Sequence, residues 1–128
     1  MAKIAGEQIL LYGVEDKKKE QMLKSIFVRL GARIRVASKE DCGKYVGVLM
    51  GLKDCEQTEE KEVEPILDEM LVLHGFSSGR LDLLLKEMKR FKVRISLKAV
   101  VTEHNKNWTL VELYEELKRE REKMEAWN

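Results

Sequence analysis

His74, Ser77 and Ser78 lie close together in LVLHGFSSGR, residues 71 to 80, and His104 follows downstream. A hydroxyl beside an imidazole is the minimum for nucleophilic acyl transfer. The base takes the proton as oxygen attacks, and a third group orients the base. The chain has 2 histidines, and no serine is spaced to pair with either of them. No Gly-x-Ser-x-Gly turn exists to expose a nucleophile.

The His-Gly pair resembles the element beside the oxyanion hole of α/β-hydrolases, but a structural reading explains it without chemistry. At an offset of 62 residues, Leu11-Tyr12-Gly13-Val14 aligns with Leu73-His74-Gly75-Phe76. Both read as a strand turning into a helix, where glycine permits a tight turn. No acid–base pair, metal cluster or activated nucleophile can be located, so the sequence argues against an enzyme. A hydrolase is the least favoured reading.

Anion binding is the chemistry that remains. Ser77-Ser78-Gly79-Arg80 opens a helix beyond the carboxyl end of a strand, where free amides and the helix dipole favour negative charge. Ligands of open α/β sheets gather at such strand ends. Glu15 and Asp16 occupy the equivalent place in the first half and would repel a phosphate. The Gly-x-x-x-x-Gly-Lys phosphate loop is absent. Lys98 interrupts the apolar strand ISLKAVVT, and Thr102, His104, Asn105, Asn107 and Trp108 follow it. The candidate site therefore takes charge from Lys98 and Arg80. Ser77, Ser78, Thr102 and Asn105 supply hydrogen bonds, and His74 and Trp108 lie alongside. Each has a plain structural alternative: Lys98 a snorkelling lysine guarding an edge strand, Ser77 a helix cap, Trp108 a hydrophobic staple.

Totals narrow the partners. Net charge is +1, so no global field draws nucleic acid or an anionic membrane. The longest apolar runs are far shorter than a membrane span. The opening MAKIAGEQILLYG lacks a signal-peptide core, and a cytoplasmic protein is expected. Cys42 and Cys55 stand apart, without Cys-x-x-Cys or clustered histidines, so no metal or other cofactor is implied. Cys42 reads as a small buried hydrophobe and Cys55 as a loop thiol. A protein partner or a homodimer stays open.

The elements that would position these residues are legible in outline. QILLYGV (8–14) reads as a buried strand. The following helix starts at Glu15-Asp16, carries Met22, Leu23, Ile26, Phe27 and Leu30 inward, and ends at Gly31. RIRVA (33–37) is a second strand. Ser38 caps a helix whose face is Cys42, Tyr45, Val46, Leu49 and Met50, with a strand over Tyr45–Met50 as the competing reading. Gly43, Gly47 and Gly51 run beside that face and predict close approach to a neighbour, or else to a ligand. Residues 53 to 64 hold six acids against two lysines and read as a solvated, mobile linker, or as partly helical from Thr58.

EMLVLHGF (69–76) is a third strand. Ser77 caps a helix with Leu81, Leu84, Leu85 and Met88 inward. ISLKAVVT (95–102) is a fourth strand, with Ile95, Leu97 and Ala99 facing one layer and Ser96, Lys98, Val100 and Thr102 the other. Thr109 to Glu112 forms a capping box for a last helix with Leu110, Leu113, Tyr114, Leu117 and Met124 as its stripe. Its far end, KREREKMEAW, reads as projecting or fraying. The expected fold is one α/β domain over residues 1 to 128. Its two βαβα halves, 1–52 and 66–128, are joined by the acidic linker 53–65. Alternation of strands and helices predicts a mainly parallel four-stranded sheet covered by helices, in the order 2-1-3-4. A ferredoxin-like α+β sheet with an added helix is the runner-up.

Lys98-Ala99-Val100-Val101-Thr102, with Asn105, Trp108, Leu113 and Glu116-Leu117, resembles the signature of a family of small bacterial proteins known only as a domain of unknown function. Leu71 to Phe76 and the leucines of the next helix fit the pattern, so the resemblance spans roughly residues 69 to 120. It implies a bacterial cytosolic protein and carries over no activity. It also implies that Lys98, Thr102, Asn105 and Trp108 belong together. The combined expectation is a non-enzymatic protein that binds a small anion or serves a regulatory role. The alternative is a protein-interaction module that uses the charged C-terminal helix.

Overall fold

Four strands and four helices alternate in the computed structural model, which describes residues 6–57 and 59–127. They are β1 (Gln8–Tyr12), α1 (Lys17–Leu30), β2 (Arg33–Ala37), α2 (Val46–Leu49), β3 (Met70–His74), α3 (Ser78–Arg90), β4 (Leu97–Val100) and α4 (Leu110–Trp127). The helix ends follow their local chemistry. Asp16 caps α1 by accepting from the Lys18 and Lys19 amides, and Gly31 closes it with φ of 77°. Ser77 caps α3 by accepting from the Arg80 amide. Thr109 and Glu112 exchange hydrogen bonds in a capping box at the start of α4.

The strands form one sheet in the order β2-β1-β3-β4. Alternate residues divide between two cores, as the pleat requires. Ile9, Leu11, Leu71 and Leu73 pack with α1 and α3 on one face. Leu10, Tyr12, Met70 and Val72 pack on the other with Val46 of α2 and with Leu110 and Leu113 of α4. Helices therefore flank both faces, unlike the ferredoxin-like alternative.

The sheet is mixed rather than mainly parallel. β1 pairs parallel with β2, and β3 with β4, but β1 and β3 run antiparallel, with Leu10 opposite Val72. The cause lies between β2 and β3. A parallel crossover needs a helix that runs the length of the sheet, roughly 17 Å for a five-residue strand. The helix expected from Ser38 to Met50 instead divides into a 3-10 turn at Lys39–Asp41 and the four-residue α2. At about 1.5 Å per residue, α2 covers only about 6 Å. The chain returns to the edge it left, and β3 starts beside the end of β1.

Gly43 sits in the break. A Cβ there would lie 1.8 Å from the Lys61 carbonyl oxygen, so the close approach expected of this glycine run is to the chain's own backbone. Cys42, Val46 and Met50 are nevertheless buried, as the helical spacing suggested, because both short pieces present them to the same core.

The acidic stretch is held rather than loose. The Gln57 carboxamide accepts from the Tyr45 amide and donates to the Gly43 carbonyl. Cys55 is buried, and Tyr12 donates to the Ile66 carbonyl at 2.6 Å. The helical start suggested at Thr58 lies outside the described residues, and residues 59–69 contain no helix. Several residues expected to be inward are exposed: Leu85 at the α3 surface, Met22 on α1 and Met124 far along α4. Ile95 precedes β4 and packs with α1 and α3, whereas Leu97, Ala99 and Val101 pack on the opposite core. The four do not share a face, because the regular pleat begins only at Leu97.

Gly43→Ala should therefore destabilise the protein by at least 1–3 kcal/mol, roughly the cost of forcing atoms into a filled site. Gly79→Ala has nothing among the described residues within 4 Å of the new methyl in the first turn of α3. It should leave stability unchanged or raise it by up to about 1 kcal/mol. Urea denaturation of the two variants beside wild type measures the contrast.

Candidate functional site

The expected site separates into three places. Arg80, Ser77 and Ser78 stand at the start of α3, by the carboxyl end of β3. Lys98 is the second residue of β4 and opposes Leu71, so it lies near the far end of α3. It lines a cleft with Met88 and Lys89, in the last turn of that helix. A thirteen-residue helix spans about 20 Å, which puts Lys98 out of reach of the serines.

Arg80 is already engaged. Its Nε and Nη2 donate to the two carboxylate oxygens of Glu7 at 2.9 and 2.8 Å, and Nη2 donates to the Leu30 carbonyl at 2.5 Å. Glu7 is 1 % exposed. The guanidinium thus binds a buried carboxylate, ties the C-terminus of α1 to α3, and has its pKa raised by the Glu7 hydrogen bonds. It is a structural cation and has no charge to spare for a ligand. Glu7, a lone acid before an apolar strand, gave no sequence signal of this role.

His74 ends β3, half-buried, with Nδ1 shielded from solvent and without a hydrogen-bond partner among the described residues. No serine hydroxyl bonds to either histidine among the described residues. The Gly75 after it has φ of +81°, and a Cβ there would stand 2.3 Å from the Gly6 carbonyl oxygen. Gly13 has a φ of +80° at the corresponding turn. The His-Gly element is a backbone turn that glycine alone accommodates. Ser77 spends its hydroxyl on the cap, and Ser78 is exposed.

Thr102, Asn105 and Trp108 form the second place, a bracket between the two halves. The Asn105 carboxamide accepts from the Thr102 amide at 2.8 Å and donates to the Val100 carbonyl at 3.1 Å. That is the pair of bonds a neighbouring strand would make, so Asn105 closes part of the open edge of β4. The Thr102 hydroxyl accepts from the His104 and Asn105 amides. Trp108 is half-buried against the core and meets the His104 ring edge-on at 5.2 Å.

The same loop caps α2. Trp108 and Lys106 carbonyls accept from the Val46 and Gly47 amides, each at 2.8 Å. Cys55 Sγ donates to Asn107 Oδ1 at 3.1 Å. Burial is the main reason its thiol pKa is raised, with Asp54 adding to it. Lys106 is clamped by Asp54 and Glu103, which raise its pKa. These residues belong together structurally, but Lys98 stands outside their network.

The third place is Lys98 itself, and it gathers charge that the sequence reading overlooked. Its ammonium donates to the Ile95 carbonyl at 2.6 Å. A cleft of about 400 Å³ lies on the α4 side of β4, with Arg94, Lys98, Leu117, Glu120 and Arg121 among its walls. A second, of about 310 Å³, lies on the α3 side, with Lys89, Lys92, Arg94 and Lys98 over Met88 and Ile95. Arg94 and Lys98 border both. Partial desolvation, then repulsion from Arg94 and Arg121, lowers the Lys98 pKa below its usual value of 10.5. The signal for this cluster was present: Lys89, Arg90, Lys92, Arg94 and Lys98 fall within ten residues that contain no acid. Net charge hid it, because the balancing acids lie elsewhere.

Among the described residues, no group of three or more His, Cys, Asp or Glu is arranged to hold a metal ion. No described helix is long and apolar enough to cross a membrane. Residues 69–124 match the model of a family described as a domain of unknown function (DUF3783). The match covers β3, α3, β4 and most of α4, the same span as the sequence resemblance. No curated protein and no solved structure matches the chain.

Arg80→Ala would strand the Glu7 carboxylate in the core. Its melting temperature should fall by roughly 10 °C or more, as for a buried pair that loses one partner. Differential scanning calorimetry measures this, and Lys98→Ala, at an exposed edge, should shift the midpoint little.

Proposed function

We propose that the protein is a non-enzymatic, cytosolic anion-binding or regulatory protein and that its site is the pair of clefts beside β4. One observation carries the reading: Lys98 and Arg94 border both clefts, and desolvation first, then repulsion from like charges, already disfavours the Lys98 ammonium. An anion placed there relieves that repulsion and gains charge-assisted hydrogen bonds. Arg80, Ser77, Ser78, Thr102 and Asn105 serve the fold rather than the ligand in this reading. The free thiols of Cys42 and Cys55, both buried, suit a reducing compartment.

A protein partner is the second reading. Its support is the position of Arg121 on α4 beside the cleft and of Met124, 68 % exposed, at the same border.

Thermal shift with inorganic pyrophosphate and with citrate tests the first reading. At about a hundred times its dissociation constant, a ligand adds roughly 2.7 kcal/mol, which raises the midpoint by several degrees. Lys98→Ala and Arg94→Ala should each remove most of that shift. Lysine binds the anion only when protonated. Affinity should therefore decline as pH rises through the lowered Lys98 pKa, starting below the ordinary value of 10.5. In the free protein the sign is opposite. The Lys98 charge opposes folding, so its removal adds stability between its lowered pKa and 10.5. No shift with either anion, or an equal shift in the Lys98 variant, would remove the basis for the proposal.

A further inference from the structure

We propose that the ligand of the two clefts is an acidic peptide segment of a partner protein, with apolar residues between its acids. The proposal rests on the anion-binding reading and names the class of anion. The clefts lie on opposite faces of β4 and meet at Arg94 and Lys98. A small anion would satisfy one of them at most. An extended ligand crossing the strand can reach Lys89 and Lys92 on the α3 side and, on the α4 side, Arg121, which shares that wall with Glu120.

Apolar surface runs beside this charge. Leu85 and the half-buried Val93 border the α3 cleft above the buried Met88 and Ile95, and Leu117 and Met124 line the α4 cleft. Leu85 is 36 % exposed and Met124 is 68 % exposed. Aliphatic and thioether surface under a basic rim suits a chain with acids and apolar side chains in alternation. It suits nucleic acid poorly, because single strands stack on aromatic rings and, among the described residues, neither cleft is lined by one. Phe91, the nearest aromatic in sequence, lies under the guanidinium groups of Arg29 and Arg90.

Docking is through side chains rather than by long strand addition. Asn105 already occupies the Val100 carbonyl and the Thr102 amide at the open edge of β4. A second copy of the chain is the poorer occupant. Its own acidic stretch is tied to its own body through Gln57 and Cys55. Glu60 of that stretch stands 3.7 Å from the Lys44 ammonium.

The test uses the full chain and fluorescence anisotropy with a labelled short peptide alternating glutamate and leucine. Binding is expected to weaken by about tenfold in Arg94→Glu, in Lys98→Ala and in Leu85→Glu, each checked for an unchanged melting temperature. A glutamate–serine peptide of the same length should bind about tenfold more weakly than the glutamate–leucine one. Equal binding of the two peptides would overturn the apolar half of the proposal. A single-stranded oligonucleotide that binds more tightly than either would assign the clefts to nucleic acid. Self-association in sedimentation, lost in Arg94→Glu, would assign them to a second copy. If pyrophosphate binds and the peptide does not, the peptide proposal fails and the anion-binding reading stands. If neither binds, both fail.

Discussion

Where a side chain at Gly43 would project, the carbonyl of Lys61 already stands. Much of the architecture follows from that contact. The two backbones can lie so close only if the chain turns there, and the turn ends what would have been a continuous helix. The remaining helix is too short to cross the sheet. β3 therefore enters at the edge where β2 finished and runs antiparallel to β1. The two parallel β-α-β units are joined head to tail in one sheet, and their strand ends point to opposite edges.

That arrangement places a demand on the segment between the units. Its short helix has amides that no long helix would satisfy and a buried thiol that needs a partner. The loop after β4 meets both needs. Lys106 and Trp108 carbonyls take the α2 amides, and Asn107 takes the Cys55 thiol. The residues that looked most like a polar site in sequence are thus the receiving end of a structural bracket. Buried polar groups must be paired, and here they are paired across the two halves. Thr102 and Asn105 hold the loop in the shape that allows this, and Asn105 also shields the edge of β4.

How much was legible depended on the range of the interaction. Asp16, Gly31, Ser77 and the Thr109–Glu112 box were readable because caps act within one turn of chain. The strand order 2-1-3-4 was expected from right-handed crossovers, and the sheet has that order although one pair is antiparallel. Strand direction was not legible, because it hangs on the meeting of Gly43 with Lys61, which no local pattern announces. Arg80 was misread for the same reason: its partner Glu7 is seventy-three positions away. The basic cluster was local and could have been found, as five cations in ten residues without an acid. The near-zero net charge of the whole chain drew attention away from it.

Lys98 shows how structural and functional readings of one residue can coexist. As an edge-strand lysine it discourages pairing with another sheet. The same exposed position lets its ammonium stand beside Arg94 and Arg121, with the Ile95 carbonyl as acceptor and no buried acid beside it among the described residues. Arg80 faces the opposite circumstance. It has a fully buried carboxylate fixed on it, so its charge is spent on the fold. The difference lies in the partner: a cation answered by a buried acid holds the core together, whereas Lys98, whose ammonium meets the Ile95 carbonyl and is repelled by Arg94, keeps a charge that a ligand can answer. At β4 that charge lies beside apolar side chains, Leu85 on one face and Leu117 and Met124 on the other, on a strand whose edge is partly closed. It favours a ligand that brings negative charge and apolar groups together.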